Sequence, residues 1–208
     1  EREADRIGLL LIERAGYDPR EAARVWHNLH AELAATQGSD PAALGMAIPG
    51  EARNDPGYLF NMSRQLRRMG RSADAANLLA NRPKLGSLPL SPTDWIEELL
   101  NIARSGGART AQQIAASADD AFAPGTDISA LTYKLRDDYT SLMWLGGTKS
   151  LWELGDARSA APLFYRYGAA ARTPQTRSKG FYWAGLASER GGDRSGAQRY
   201  FNMAANYP

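Results

Sequence analysis

Hydrophobic residues recur at the same offsets around a glycine in four places along the chain. Each glycine is followed by an alanine five positions later and by apolar residues eight and nine positions later, and a larger apolar residue stands eleven positions before it. This spacing places the apolar side chains on one face of each helix. The four sets are Leu59, Gly70, Ala75, Leu78 and Leu79; Trp95, Gly106, Ala111, Ile114 and Ala115; Trp144, Gly155, Ala160, Leu163 and Phe164; and Phe181, Gly192, Ala197, Tyr200 and Phe201.

The four sets predict four antiparallel helical hairpins with a glycine at each corner. Glycine has no Cβ, so we expect it to end the first helix in a left-handed cap, and the alanine then lets the second helix approach closely. The predicted structural turns Gly70, Gly106, Gly155 and Gly192 are separated by 36, 49 and 37 residues. This pattern resembles the tetratricopeptide repeat of about 34 residues. The predicted fold is therefore all-α, a tetratricopeptide-like helical-hairpin superhelix, or α-solenoid.

Three stretches rich in turn-forming residues interrupt the helical pattern. Residues 121–127 contain a Pro-Gly turn within the longest interval, so we expect a long loop there, before a helix that begins near Asp137. Residues 82–92 contain three prolines and are predicted to link two repeats. The predicted organisation is an N-terminal helical segment at residues 1–37, a linker at 38–56 and a helical-repeat superhelical domain at 57–208.

Composition narrows the classes of partner. The 25 basic and 23 acidic residues are interspersed, and without a polybasic block we expect no nucleic-acid partner. The longest apolar stretch, around Ile7, is shorter than the roughly 20 residues that a membrane span needs, so none is expected. The absence of cysteine is compatible with an oxidising compartment. Since the chain opens within a helical pattern, we expect it to be part of a longer protein.

From about residue 56 to its end, the chain resembles the superhelical N-terminal (U-type) domain of soluble lytic murein transglycosylases. The resemblance depends on residues 122–127 (Phe-Ala-Pro-Gly-Thr-Asp), 136–142 (Arg-Asp-Asp-Tyr-Thr-Ser-Leu) and 174–185 (Pro-Gln-Thr-Arg-Ser-Lys-Gly-Phe-Tyr-Trp-Ala-Gly). It implies a periplasmic location and a scaffold that partners peptidoglycan or a C-terminal catalytic domain. In that family a single Glu of the catalytic domain cleaves the glycan, and this chain lacks the Glu-Ser and Gly-Leu-Met-Gln segments of that domain.

Residues 1–30 resemble a different family, the HExxH zinc metallopeptidases of the periplasm, in the segment after the active-site helix. The matching residues are 1–8 (Glu-Arg-Glu-Ala-Asp-Arg-Ile-Gly), 15–19 (Ala-Gly-Tyr-Asp-Pro) and Val25-Trp26. The resemblance implies that Glu1 is the third zinc ligand and Asp5 its support. Catalytic zinc takes three protein ligands, and this chain has no HExxH. Glu1 is therefore a zinc ligand only if that motif lies upstream, and no metal or other cofactor is predicted for the chain itself.

Other candidate residues have a chemical and a structural interpretation. His27 and His30 could share a helix face, but metal ligands on a helix favour a separation of four, and we interpret them as surface residues. Paired carboxylates could act as the acid and base of a glycosidase. We instead favour helix-start electrostatics, because Asp137-Asp138 stands where a helix is predicted to begin. The candidate pairs are Glu97-Glu98, Asp119-Asp120 and Asp137-Asp138.

Aromatic residues in the second half of the chain could form a sugar-stacking track, although packing between repeats is the favoured interpretation. Tyr139 and Tyr182 lie near predicted helix starts, and whether they are exposed distinguishes the two interpretations. The set is Tyr139, Trp144, Trp152, Tyr165, Tyr167, Tyr182, Trp183 and Tyr200.

The functional hypothesis from sequence is a non-catalytic scaffold acting in peptidoglycan turnover, with no catalytic or cofactor-binding residues of its own. Two alternatives stay open at this point. One is a repeat-bearing fragment of a zinc metallopeptidase, and the other is a protein-interaction module that holds proteins or peptides in its concave groove.

Overall fold

The computed structural model describes residues 53–207, and all regular secondary structure in that range is helical. The all-α prediction is confirmed for this part of the chain. The predicted segment 1–37 and all but the last four residues of the linker 38–56 lie outside the described residues. The helices are α1 (Pro56–Arg68), α2 (Ser72–Ala80), α3 (Pro92–Ser105), α4 (Ala108–Ser117), α5 (Tyr133–Thr148), α6 (Ala157–Ala170), α7 (Pro174–Arg190) and α8 (Arg194–Ala205).

Local sequence explains where several helices begin. Helices α1, α3 and α7 each start with a proline, whose missing N–H costs nothing in the first turn of a helix. The preceding residues Asp55, Ser91 and Thr173 accept hydrogen bonds from backbone N–H groups of that turn. Capping residues adjacent to proline therefore set the first turn of these three helices.

The glycine corners follow the prediction at three of four positions. Gly70, Gly155 and Gly192 have φ of 75°, 65° and 85°, in the left-handed region. At Gly70, the N–H donates to the Arg67 carbonyl while Arg71 N–H donates to the Leu66 carbonyl, a Schellman motif. These bonds satisfy carbonyls at the end of α1 as the chain reverses.

The left-handed cap predicted at Gly106 is wrong. Gly106 has φ −86° and ψ 169°, and Gly107 has φ −71° and ψ 175°, so both are extended. Two extended residues already lead the chain from the end of α3 into α4, and the corner needs no left-handed residue. Gly106 still forms the corner, where a Cβ would lie 2.6 Å from Thr110 Cγ2.

The start predicted for α5 near Asp137 is also wrong. The helix begins at Tyr133, after short 3₁₀ turns at Ala118–Ala121 and Ile128–Ala130. Leu135, Tyr139 and Leu142 are all buried, so the apolar face extends one turn further back than the sequence pattern suggested. At its other end α5 continues into a π-helical turn, Lys149–Glu153.

Helices that are consecutive in the sequence pack against each other. Each contacts the next, and α1 to α4 also each contact the helix after that. The corner alanines Ala75, Ala111, Ala160 and Ala197 are all buried, as expected for residues that allow close helix approach. Of the anchors eleven positions before each glycine, Leu59, Trp95 and Phe181 are buried and Trp144 is half-buried.

Candidate functional site

Glu97 and Glu98, the first of the carboxylate pairs, hold helices together. The Glu98 side chain is 3% exposed and accepts hydrogen bonds from Ser63 Oγ at 2.6 Å and from Arg67 Nη2 at 2.5 Å. Glu97 lies 3.2 Å from Lys134 Nζ, which links α3 to α5. Each carboxylate therefore has a cationic partner on another helix.

Asp119 and Asp120 line a pocket of about 790 Å³, which we call the loop pocket. Tyr139 Oη donates to Asp119 Oδ1 at 2.6 Å, and Arg166 Nε lies 3.2 Å from Asp119 Oδ2. Arg82 Nη2 lies 3.0 Å from Asp120 Oδ1 and also donates to the Ser117 carbonyl. The pocket lies between the loop after α2 and the loop before α5, which includes the Phe-Ala-Pro-Gly-Thr-Asp segment.

Burial is the main cause of the shifted pKa values of two groups in the loop pocket, Asp120 and Tyr139. It raises the pKa of Asp120 above the ordinary carboxyl value, and the positive charge of Arg82 offsets part of that effect. Burial and, second, the negative charge of Asp119 raise the pKa of the Tyr139 hydroxyl. Tyr139 therefore stays protonated and donates to Asp119. These contacts join α5 and α6 to the 3₁₀ turn that follows α4.

The helix-start interpretation of Asp137 and Asp138 is wrong, because α5 begins four residues earlier and has no acidic residue in its first turn. Asp137 is exposed, and Asp138 pairs with Lys134 at 2.5 Å, one turn back along the helix. Hydrogen bonding to Asp138 and then to Glu97 raises the pKa of Lys134. Asp138 thus supports a bridge between α5 and α3.

Tyr139 and Tyr182, whose exposure tests the two interpretations of the aromatic set, differ. Tyr139 is 2% exposed and belongs to the core, whereas Tyr182 is 50% exposed. Trp152 is also 50% exposed, and Trp144 and Trp183 are half-buried. The aromatic set is therefore divided between core packing and a surface.

Five rings of the set, two exposed and three half-buried, lie together where α5, its π-helical turn, α6 and α7 meet. Trp183 is at their centre, with ring centroids 5.0 Å from Trp152, 5.8 Å from Tyr182 and 6.5 Å from Trp144. Tyr167 lies 5.0 Å from Trp144. We call these five rings, together with Lys179, the aromatic surface. The π-helical turn carries Trp152, and such turns are frequent at functional sites.

The sequence analysis gave no role to the cationic residues of these sites, among them Lys179 and Arg82. The Lys179 ammonium lies 3.6 Å from the centroid of the Trp144 ring. Its spacing of four residues from Trp183 could have indicated a shared helix face. Arg82 gave no such signal, because its partner Asp120 is 38 residues away in sequence.

The zinc-ligand prediction for Glu1, its support Asp5 and the pair His27 and His30 all lie outside the described residues. Within residues 53–207, no group of three or more metal-binding side chains could hold a metal ion. The helices of that same range include none that is long and apolar enough to cross a membrane.

Comparison with known proteins yields no match to a protein-family model, a curated protein or a solved structure. The two family resemblances therefore stay predictions from the quoted segments.

Proposed function

We propose that this chain is a non-catalytic, helical-repeat scaffold that binds peptidoglycan in the periplasm, as part of a protein resembling the soluble lytic murein transglycosylases. The observation that carries the proposal is the aromatic surface. Exposed indole and phenol rings pack against the apolar C–H faces of pyranose sugars, and their polar edges tolerate water. Lys179, Tyr182 and Trp183 belong to the 174–185 segment on which the resemblance depends.

Helix order supports a tetratricopeptide-like α-solenoid as the architecture of this scaffold. Contacts between successive helices, buried corner alanines and glycine turns at Gly70, Gly155 and Gly192 are typical of stacked hairpins. Stacked hairpins create an extended curved surface that suits a polymer or a partner domain. In this proposal the carboxylates of the loop pocket position helices, since each is bonded to Arg82, Arg166 or Tyr139.

A protein-interaction module is the second candidate function, favoured by an apolar groove beside α1. This groove, of about 580 Å³, is lined by Phe60, Leu88 and Trp95 among others, and the adjacent Leu90 is fully exposed. Grooves of this kind accept apolar peptide side chains. The metallopeptidase alternative depends on Glu1 and Asp5, outside the described residues.

Co-sedimentation of the purified chain with peptidoglycan sacculi tests the proposed function. We expect binding without release of anhydro-muropeptides. The double variant Trp152→Ala/Tyr182→Ala removes two half-exposed rings and should weaken binding about fivefold or more.

Tyr133→Ala is the matched control, because Tyr133 is 73% exposed, stacks with Arg136 and lies outside the aromatic surface. It should bind as the parent chain does. Anhydro-muropeptide release by the purified chain would contradict a non-catalytic scaffold. Absence of binding to sacculi, combined with capture of apolar peptides, would favour the interaction module.

A further inference from the structure

We propose that Lys179 makes the aromatic surface selective for glycans whose sugars carry carboxylate groups. This inference rests on the proposed function, since it names the chemical feature of the glycan that the surface recognises. The aromatic rings stack on the sugars, and the Lys179 ammonium binds the carboxylate.

The first support is the position of Lys179 on helix α7. Lys179, Tyr182 and Trp183 are separated by three and four residues, so they share one face of the helix. The Lys179 ammonium lies 3.6 Å from the centroid of the Trp144 ring and 5.6 Å from that of Tyr167. A ligand stacked on Trp183 or Tyr182 therefore meets the ammonium on the same face.

The second support is that the positive charge of Lys179 has no carboxylate partner among the described residues. Lys134 and Lys149 pair with carboxylates of neighbouring residues. Among residues 53–207, by contrast, no carboxylate forms an ion pair with Lys179, whose ammonium contacts aromatic faces. A ring attracts the cation through its quadrupole but supplies no negative charge and no acceptor oxygen. The three N–H donors of Lys179 thus keep their capacity for an anionic ligand.

The third support is the adjacent groove between α7 and α8, with a volume of about 520 Å³. Within the described part of the chain, Lys179 is the only charged residue that lines it, and Tyr182, Trp183, Phe201 and Tyr207 supply its aromatic walls. A neutral glycan would leave this charge unused. The ammonium itself lies on the Trp144 ring, next to Trp183 of the groove wall, so a carboxylate on a sugar that stacks on Trp183 would complement it.

The test compares two tetrasaccharides by titration calorimetry. One is the neutral tetramer of N-acetylglucosamine, and the other alternates N-acetylglucosamine with N-acetylmuramic acid, which bears a free carboxylate. We expect the chain to bind the carboxylate-bearing tetramer about two- to fivefold more tightly, the range for a solvent-accessible charge pair. Raising the salt concentration should shrink this preference.

Two variants of Lys179 and one control test whether this residue causes the preference for the carboxylate-bearing tetramer. Lys179→Gln should bring the ratio of the two affinities to about one, and Lys179→Arg should retain the preference. Lys84→Gln is the matched control: it removes the same charge from a lysine of the loop pocket, and its ratio should equal that of the parent chain.

Four outcomes overturn the inference. Equal affinity of the parent chain for both tetramers removes the selectivity, and a preference that survives in Lys179→Gln assigns it to another residue. Binding of sacculi without binding of either tetramer also rejects this site, yet it leaves the scaffold function standing. Absence of binding to sacculi would instead reject the proposed function, and with it this inference.

Discussion

The helices before residue 118 and those after residue 132 bury different kinds of side chain. Helices α1 to α4 bury the charged Glu98 together with the amides Gln65 and Gln112, and the loop after α2 adds the buried guanidinium of Arg82. From α5 to α8, the described polar side chains that are buried are the small hydroxyls of Ser150 and Ser188.

The later helices approach each other through glycine and aromatic contacts instead. A Cβ on Gly180 would lie 2.5 Å from the backbone of Gly168, so α6 and α7 pack backbone against backbone at this point. A Cβ on Gly185 would lie 2.6 Å from the Phe201 ring, which closes α7 on α8. One glycine–alanine pattern thus supports two modes of packing: buried ion pairs among the helices and loops up to residue 121, and close backbone approach after residue 132.

The strongest test of the first mode is Arg82→Met. The Arg82 side chain is 1% exposed and that of Asp120 is 11% exposed, so the substitution leaves a buried carboxylate without its cation. We expect the free energy of unfolding, measured in urea, to fall by about 3 kcal/mol.

Two further variants make the Arg82 prediction specific. Arg82→Met/Asp120→Leu should recover much of the loss, because it also removes the uncompensated charge. Lys149→Met breaks the more exposed Lys149–Glu153 pair and should cost less than about 0.5 kcal/mol. A loss at Arg82 no larger than that at Lys149 would show that buried ion pairs do not distinguish the two regions.

Gly180→Ala tests the second mode. The added methyl group would meet the Gly168 backbone, which has no flexible side chain to move aside, so α6 and α7 must separate. Overpacking should outweigh the gain in helix propensity and lower the free energy of unfolding by about 1–3 kcal/mol.

Gly107→Ala is the control for Gly180→Ala. A Cβ on Gly107 meets nothing within 4 Å, and its φ is negative, so the substitution removes only a glycine N-cap and should lower the free energy of unfolding by less than Gly180→Ala does. Equal effects at the two glycines would contradict close backbone packing in α6 and α7.

Asp156→Ala tests the link between the two regions and should have the smallest effect of the three main tests, which are Arg82→Met, Gly180→Ala and Asp156→Ala. Asp156 caps α6 by accepting a hydrogen bond from Ser159 N–H at 3.1 Å, and it accepts another from Gln112 Nε2 of α4 at 2.8 Å. Loss of both should cost about 1 kcal/mol at pH 7.

The sign of the pH dependence at Asp156 follows from its hydrogen bonds. Those with Ser159, above all, lower the pKa of Asp156 in the folded state. Its stabilisation is therefore present above the ordinary carboxyl pKa and is lost as the pH falls through the lowered value. The difference between Asp156→Ala and the parent chain should shrink in urea unfolding at about pH 2.5.

Asp193→Ala removes the corresponding cap of α8, where the partners Gly196 and Ser195 are local. It should cost less than Asp156→Ala, because no bond to α4 is lost. A larger loss at Asp193 would mean that the Gln112 bond contributes nothing to the link.

Much of the fold could be predicted, because its signals are local. Proline after a capping residue, glycine at a corner and alanine five residues later each act within a turn or two of the chain. Gly106 shows the limit of such signals, since two adjacent extended residues make that corner in another way. The start of α5 was misplaced because Leu135 and Tyr139 show their burial only once α5 is packed.

The candidate sites could be predicted only in part. The amino-acid sequence by itself determined the helical pattern, the corners at Gly70, Gly155 and Gly192, and the aromatic set of the second half. Tertiary structure decided that Tyr139 is buried while Tyr182 is exposed, that Arg82 meets Asp120, and that Lys179 lies on Trp144. The reason is physical: helix periodicity and turns depend on near neighbours, whereas exposure and ion pairing depend on which helices meet, and that is settled by packing across the whole domain.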